Sequence, residues 1–251
     1  MPRRPATTGL ALAWRELPEV LVRERPGTRA STPRLVPVGD EAGKIEFALH
    51  APDGAQVASL KALVFAEGQE VALDELSAIG SSNSMRTSPY ERPPMRLGDV
   101  AARVVVRGTT IDVTWVYGNA KLQVVSADGK DVLDLAVAAQ RFLDGHLVND
   151  LPARTPSVAR VEVAPATPVA GDTIEVTLHL TPGQPVARWE VRATDRGPLE
   201  MRTEPVRAPD RIVCRVLART AGNGDLQVTL FDPESLLTRT VTVPLHVQAA
   251  R

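Results

Sequence analysis

The four histidines, His50, His146, His179 and His246, are where acid–base or metal chemistry would be sought, because imidazole titrates near neutral pH. None lies within six residues of another, and the spacings H-x-x-x-H, H-E-x-x-H and C-x-x-C do not occur. Such spacings bring two donors onto one helix face or into one turn, so no metal ligand set is written locally. His50 and Asp53 flank a turn signal, and His146 precedes Asp150 by four residues. A hydrogen bond within this group of four would be needed to make either pair catalytic. The one cysteine, Cys214, follows Ile212-Val213 in an alternating run, which reads as a buried, inert thiol. There is no G-x-S-x-G elbow, so a serine nucleophile has no local signature. Asp128 and Asp131 beside Lys130 read as a hairpin surface rather than an acid–base dyad. Ala221-Gly222-Asn223-Gly224-Asp225 joins two apolar runs and opens no helix, so it reads as a turn and not a phosphate cradle. No catalytic residue, cofactor or metal is expected, and the balance leans away from an enzyme.

Recognition chemistry is better represented. Arg23, Arg25, Arg29 and Arg34 lie in an Arg- and Pro-rich opening stretch, where residues 1–40 hold seven arginines against four acids. A second group, Arg86, Tyr90, Arg92 and Arg96, falls in a polar segment at 81–98. Loops on β scaffolds commonly carry binding, so Arg86, Tyr90, Arg92, Arg96, Arg25 and Arg29 are the candidate binding residues. Nucleic acid is a poor match. The chain carries 29 basic and 30 acidic residues, for a net charge of −1, and no aromatics interleave with the arginines of the opening stretch. The partner expected is another protein. The excess of arginine over lysine, 25 to four, reads as coding bias.

The elements that must position these residues are strands. Of 251 residues, 43% are hydrophobic and 4% aromatic, with 32 valines and 21 prolines. A core of small branched side chains cut by turns excludes a coiled coil, a disordered chain and a membrane-spanning helix bundle. The apolar run Gly9–Trp14 is too short for a signal-peptide core, and charge ends it. With a single cysteine, this leans towards a cytoplasmic location. Residues 1–34 read as an extended basic arm with one strand near Val20–Arg23. Residues 35–150 read as a β-rich, or α+β, domain with a long loop at 81–98. Its runs are Leu35–Val38, Lys44–Leu49, Val57–Ala66, Val71–Ile79, Ala102–Arg107, Ile111–Tyr117 and Lys121–Ser126. Ala127–Lys130 is a hairpin signal, and the run after it reads as a strand from Val132 passing into a short helix that ends near Gly145. The matching Asp53-Gly54 and Asp128-Gly129 turns raise an internal repeat. Residues 151–156 read as a linker.

From residue 157 seven short runs follow at regular spacing: Ala159–Val163, Asp172–Leu180, Val186–Ala193, Leu199–Arg202, Arg211–Ala218, Asp225–Phe231 and Thr238–Val247. This spacing is the signature of a β-sandwich. The stretch Val161–Thr173, the amphipathic strand after it and Trp189 in the third run together resemble bacterial immunoglobulin-like domains, over residues 157–248. The resemblance implies a sandwich of two sheets with a core tryptophan. It lacks the inter-sheet disulfide of antibody-type domains, since Cys214 has no partner. The chain is thus expected to be mainly β, with an irregular β-rich first domain and an immunoglobulin-like β-sandwich over 157–251. The function expected is non-catalytic binding or assembly through loops and strand edges. An effector or hydrolase with a dispersed site in the first domain, and a proteolytic target cut at Arg-rich loops, are the alternatives.

Overall fold

The structure, a computed structural model, describes residues 7–39, 42–66, 72–74, 76–77 and 90–250. About half of it is strand, in several antiparallel sheets, so the chain is mainly β. It divides into two compact units: residues 1–154 with Glu234–Leu237, and residues 155–233 with 238–251.

In chain order, the first unit contains strand β1 (Gly9–Leu10), helix α1 (Leu17–Glu24), β2 (Arg29–Ala30), β3 (Arg34–Val38), β4 (Ala42–His50), β5 (Gln56–Phe65), β6 (Tyr90–Glu91), β7 (Val100–Val106), β8 (Thr109–Tyr117) and β9 (Ala120–Ser126). Helix α2 (Leu133–Asp144), β10 (Leu147–Val148) and a one-turn helix α3 (Leu151–Arg154) complete it. The main sheet runs β2-β4-β5-β9-β8-β7-β6, with β3 also paired to β4. Its period-2 alternation is clean. Ile45, Phe47, Leu60, Ala62, Leu122, Val124, Val113 and Trp115 are buried, and the register sets Phe47, Leu60, Val124 and Val113 in one row across four strands. The opposite face carries the polar row Arg34, Glu46, Lys61, Gln123 and Thr114. A buried face backed by a mainly polar one suits an antiparallel sheet packed chiefly on one side; at one end of the second face Ala42, Phe65 and Val116 form a small apolar cluster with Ala72 and Leu76.

The opening stretch is not an extended arm in its described part. Val20–Arg23 lies within α1, and Trp14, Leu17 and Leu21 are at most 1% exposed. Pro18 in the first turn and apolar residues four apart favour a helix with one buried stripe. The run after Ala127–Lys130 is helical from Leu133, not a strand, so this turn closes no hairpin. Val132, Leu135, Ala136, Ala139 and Leu143 are completely buried, a 3.6-residue stripe that overrides the β-like opening. The Asp53-Gly54 turn does close a hairpin, β4–β5, so the two turns mark no repeat. Of the run Val71–Ile79, residues 72–74 and 76–77 are helical, and the loop at 81–98 is described only from Tyr90. The 151–156 stretch is in part helix α3, whose Leu151 is 1% exposed.

Long-range pins close this unit. Strand β1 pairs with β10, Gly9 opposite Val148. The buried Asn119 side chain accepts from Leu10 N and donates to the Phe65 carbonyl at 2.6 Å. A Cβ on Gly9 would lie 2.7 Å from Asn119 and Leu151, so only glycine fits there. Trp14 donates from its indole to Ser235 O and from its backbone to Glu234 O, both at 3.1 Å.

The second unit contains β11 (Val158–Ala164), β12 (Thr173–Leu180), β13 (Glu190–Arg196), β14 (Leu199–Met201), β15 (Val206–Arg207), β16 (Arg211–Ala218), β17 (Gly222–Phe231) and β18 (Thr238–Val247). One sheet runs β11-β12-β16-β14, with β15 also on β16; the other runs β13-β17-β18. Both contribute to one apolar core of Ile174, Val176, Leu178, Ile212, Cys214, Val216, Leu226, Val228, Leu230, Val243, Leu245 and Trp189. The run Val186–Ala193 is not one strand. Val186–Arg188 is a 3-10 turn, and β13 starts at Glu190. Val186 and Trp189, three apart, share one side of that turn and both reach the core. No described helix is long and apolar enough to cross a membrane.

Candidate functional site

The predicted binding residues separate into different places. Arg86 lies outside the described residues. Arg25 is structural: its guanidinium donates to both Asp134 carboxylate oxygens, at 2.8 and 3.0 Å, and to the Asp131 carbonyl. It ties the end of α1 to the start of α2. Arg29 stands exposed in β2 opposite His50. Tyr90 is in β6, paired with Val104. Arg92 and Arg96 do come together, lining a groove of about 490 Å³ that runs from Arg92 to Ala101. Pro93 and Leu97 are buried and anchor this loop, which presents Arg92, Met95 and Arg96 outward. Its far end is fixed by Asp99, which donates its N–H to Val116 O and accepts from Gly118 N. Gly98 has φ +52 and passes so close to Val116 O that a Cβ would lie 2.2 Å away.

The residues considered for catalysis stay apart. His50 Nδ1 stands 3.1 Å from Gly54 O, and Asp53 accepts from Ala55 N at 2.9 Å, as a turn carboxylate does. His146 Nδ1 lies 2.5 Å from Phe142 O, and Asp150 faces Arg154 at 3.4 Å. Among the described residues no hydrogen bond joins any two of these four. His179 pairs with Glu162 at 2.9 Å and His246 with Asn223 at 2.7 Å, both towards the outside of their sheets. Burial pushes the Cys214 thiol up to about 11, which removes the thiolate a nucleophile needs. Asp131 accepts from Thr110 N and Leu133 N, so it organises the start of α2 and forms no dyad with Asp128. Desolvation pushes Asp128 up, but the Lys130 backbone N–H and ammonium hold its carboxyl below the ordinary value. The Lys44 ammonium, at 2.8 Å, does the same to Glu46. No group of three or more metal-ligating side chains occurs among the described residues.

A concavity of about 430 Å³ lies on the polar sheet face of the first unit. Its charges largely satisfy one another: Lys44 and Arg34 reach Glu46, and Gln123 donates to Asp112 at 3.0 Å. The second unit holds a different kind of opening, missed in the sequence. Among the described residues strand β13 pairs with β17 alone, so its other edge carries no described strand. Beside that edge is an open cleft of about 530 Å³ between Val191–Thr194 and Met201–Pro205. Val191, Ala193 and Met201 are only partly buried and pack against the core, so they form an apolar floor. Arg192, Arg202 and Glu204 are exposed around it. Asp195 accepts from Met201 N at 3.2 Å where the chain turns towards β14, so its side chain is engaged at that end and the cleft runs along Val191–Thr194. Alternation within β13 shows that it is a strand. Which strand ends a sheet is decided by pairing, for which the sequence has no local mark.

No protein-family model matches the chain, and no curated protein matches it. Among solved structures, one described as a polysaccharide lyase aligns with 10% identity and a TM-score of 0.29. The alignment covers 87% of this chain and 36% of that one, so this chain spans about a third of its length. A likeness of that size carries no argument.

Proposed function

We propose that this chain is a non-catalytic binding or assembly protein whose second unit is an immunoglobulin-like sandwich that takes a partner's strand onto β13. The strand orders β11-β12-β16-β14 and β13-β17-β18 support the first part. In order of sequence, and counting β14 as the D strand, they correspond to the A-B-E-D and C-F-G sheets of constant-type immunoglobulin domains. The observation that carries the second part is the strandless edge of β13 beside an open cleft with a half-buried apolar floor. An edge strand presents unpaired N–H and C=O groups at strand spacing, and an extended segment satisfies them while its alternate side chains fill the pocket. A reducing, cytoplasmic setting is part of the proposal, supported by the lone Cys214, which leaves a β-sandwich without a disulfide.

The test is selection of binders to the full chain from a displayed library of random linear peptides, followed by amide hydrogen exchange with a selected peptide. Strand addition slows exchange within 190–195 and leaves β11 unchanged. Protection at the 92–101 groove or elsewhere, or a library that yields no binder, overturns the reading.

A further inference from the structure

We infer that the segment accepted at β13 is an extended run in which apolar residues alternate with acidic ones; this rests on the edge-docking reading above. The open part of the edge is Val191–Thr194. At about 3.3 Å per residue it spans roughly 13 Å, the reach of a four-residue strand. An added strand has side chains opposite each of these positions in turn. Those opposite Val191 and Ala193 point to the floor that these residues make with Met201, where an apolar side chain seals the partly buried flank of the core. Those opposite Arg192 and Thr194 point to the other face of the sheet. Among the described residues Arg192 pairs there only with Glu190, at 3.5 Å, with both side chains about half exposed. Such a pair contributes little, so a ligand acid replaces it at small cost. Across the cleft the exposed Arg202 guanidinium stands near Glu200, whose carboxyl it helps Arg219 to hold below the ordinary value. Arg202 and Glu204 balance on the cleft wall, so the ligand's charge preference is set at Arg192, whose one ion pair is the loose contact with Glu190. A carboxylate opposite Arg192 is a favourable cross-strand pair, and a lysine there is an unfavourable one.

A second copy of β13 is a poorer occupant. Antiparallel self-pairing centred on Arg192 sets that residue against itself, and centred on Thr194 it sets Arg192 against Arg196. Centring on Ala193 matches Glu190 with Arg196, but it needs the end of the edge that the Asp195–Met201 contact holds.

The experiment measures binding of three labelled peptides to the full chain by fluorescence anisotropy, with hydrogen exchange locating the site. Their cores are Val-Asp-Val-Asp-Val, Val-Ser-Val-Ser-Val and Val-Lys-Val-Lys-Val. The expected order is acidic, then neutral, then basic, with about ten-fold between the extremes, the size of one favourable cross-strand charge pair exchanged for one unfavourable pair. High salt narrows the gap. Arg192→Glu combined with Arg202→Glu, both at exposed positions, reverses the order. If the serine or lysine peptide binds as tightly as the acidic one and protects the same amides, the acidic class is wrong and edge docking stands. If no peptide binds, or protection falls elsewhere, edge docking itself fails.

Discussion

The two units bury apolar strands by different means. The first packs helices against one face of a broad sheet, with α2 against β8 and β9, and leaves the other face largely polar, with a small apolar cluster of Ala42, Phe65 and Val116 at one end. The second lets two narrow sheets share one core, so its free surface is outer faces and edges. A one-sided sheet offers its polar face as a surface, and in the first unit much of that face is already internally paired through Glu46 and Asp112. A sandwich offers its edges, and in the second unit β13 is left without a covering strand. The place where each architecture stops satisfying its own groups differs, and that is where a partner is to be sought.

Each unit has a tryptophan at its centre, Trp115 at 0% and Trp189 at 2% exposure, and these set the largest expected effects. Trp115→Ala and Trp189→Ala each cost about 3–5 kcal/mol in denaturant unfolding. The contrast lies in Trp115→Phe. The Trp115 indole N–H is buried with no hydrogen-bond partner, so losing it forfeits no bond, and the cost stays below about 1.5 kcal/mol. A larger loss would show that the indole does something in the first unit beyond filling volume.

Next in size is the polar pin of the first unit, a buried neutral amide where the second unit instead buries the charged Asp232 against Arg188. Asn119→Ala leaves Leu10 N and the Phe65 carbonyl without their side-chain partner and costs about 1–3 kcal/mol. In the second unit the matching test is Cys214→Ser, which puts a hydroxyl against apolar walls for a similar loss, while Cys214→Val stays within about 1.5 kcal/mol. Chemical unfolding followed by fluorescence separates these outcomes. The smallest effect is on acid stability. Glu46 is held below the ordinary carboxylate value by Lys44, so it stabilises the fold above about pH 4, and this is lost as pH falls through its folded pKa. Lys44→Met removes less than about 1 kcal/mol at pH 7, because the pair is partly exposed, and the loss shrinks as pH falls through the folded pKa of Glu46.

Legibility differed between the units for a physical reason. In the second unit, strands Arg211–Ala218 and Thr238–Val247 end where period-2 alternation ends, because neighbours in sequence are partners in the core. In the first unit, local pattern failed where distant residues decide. Leu17 and Leu21 cover an element the Arg-rich composition disguised, and Val132–Leu143 satisfies both a strand and a helix template until a sheet is there to pack against. Arg25 looked like a free cation because Asp134, its partner, is 109 residues away. The β13 cleft was invisible for a related reason: an edge is defined by a neighbour that is missing, and alternation is the same for edge and central strands.

The Trp14 contacts also set an order of events at the ribosome. The indole and amide of Trp14 meet the carbonyls of Ser235 and Glu234, and β1 needs β10 beyond residue 146. Chains emerge amino terminus first, and domains ordinarily fold in that order. Trp14 therefore stays without these two carbonyl partners until the chain beyond β17 has been made.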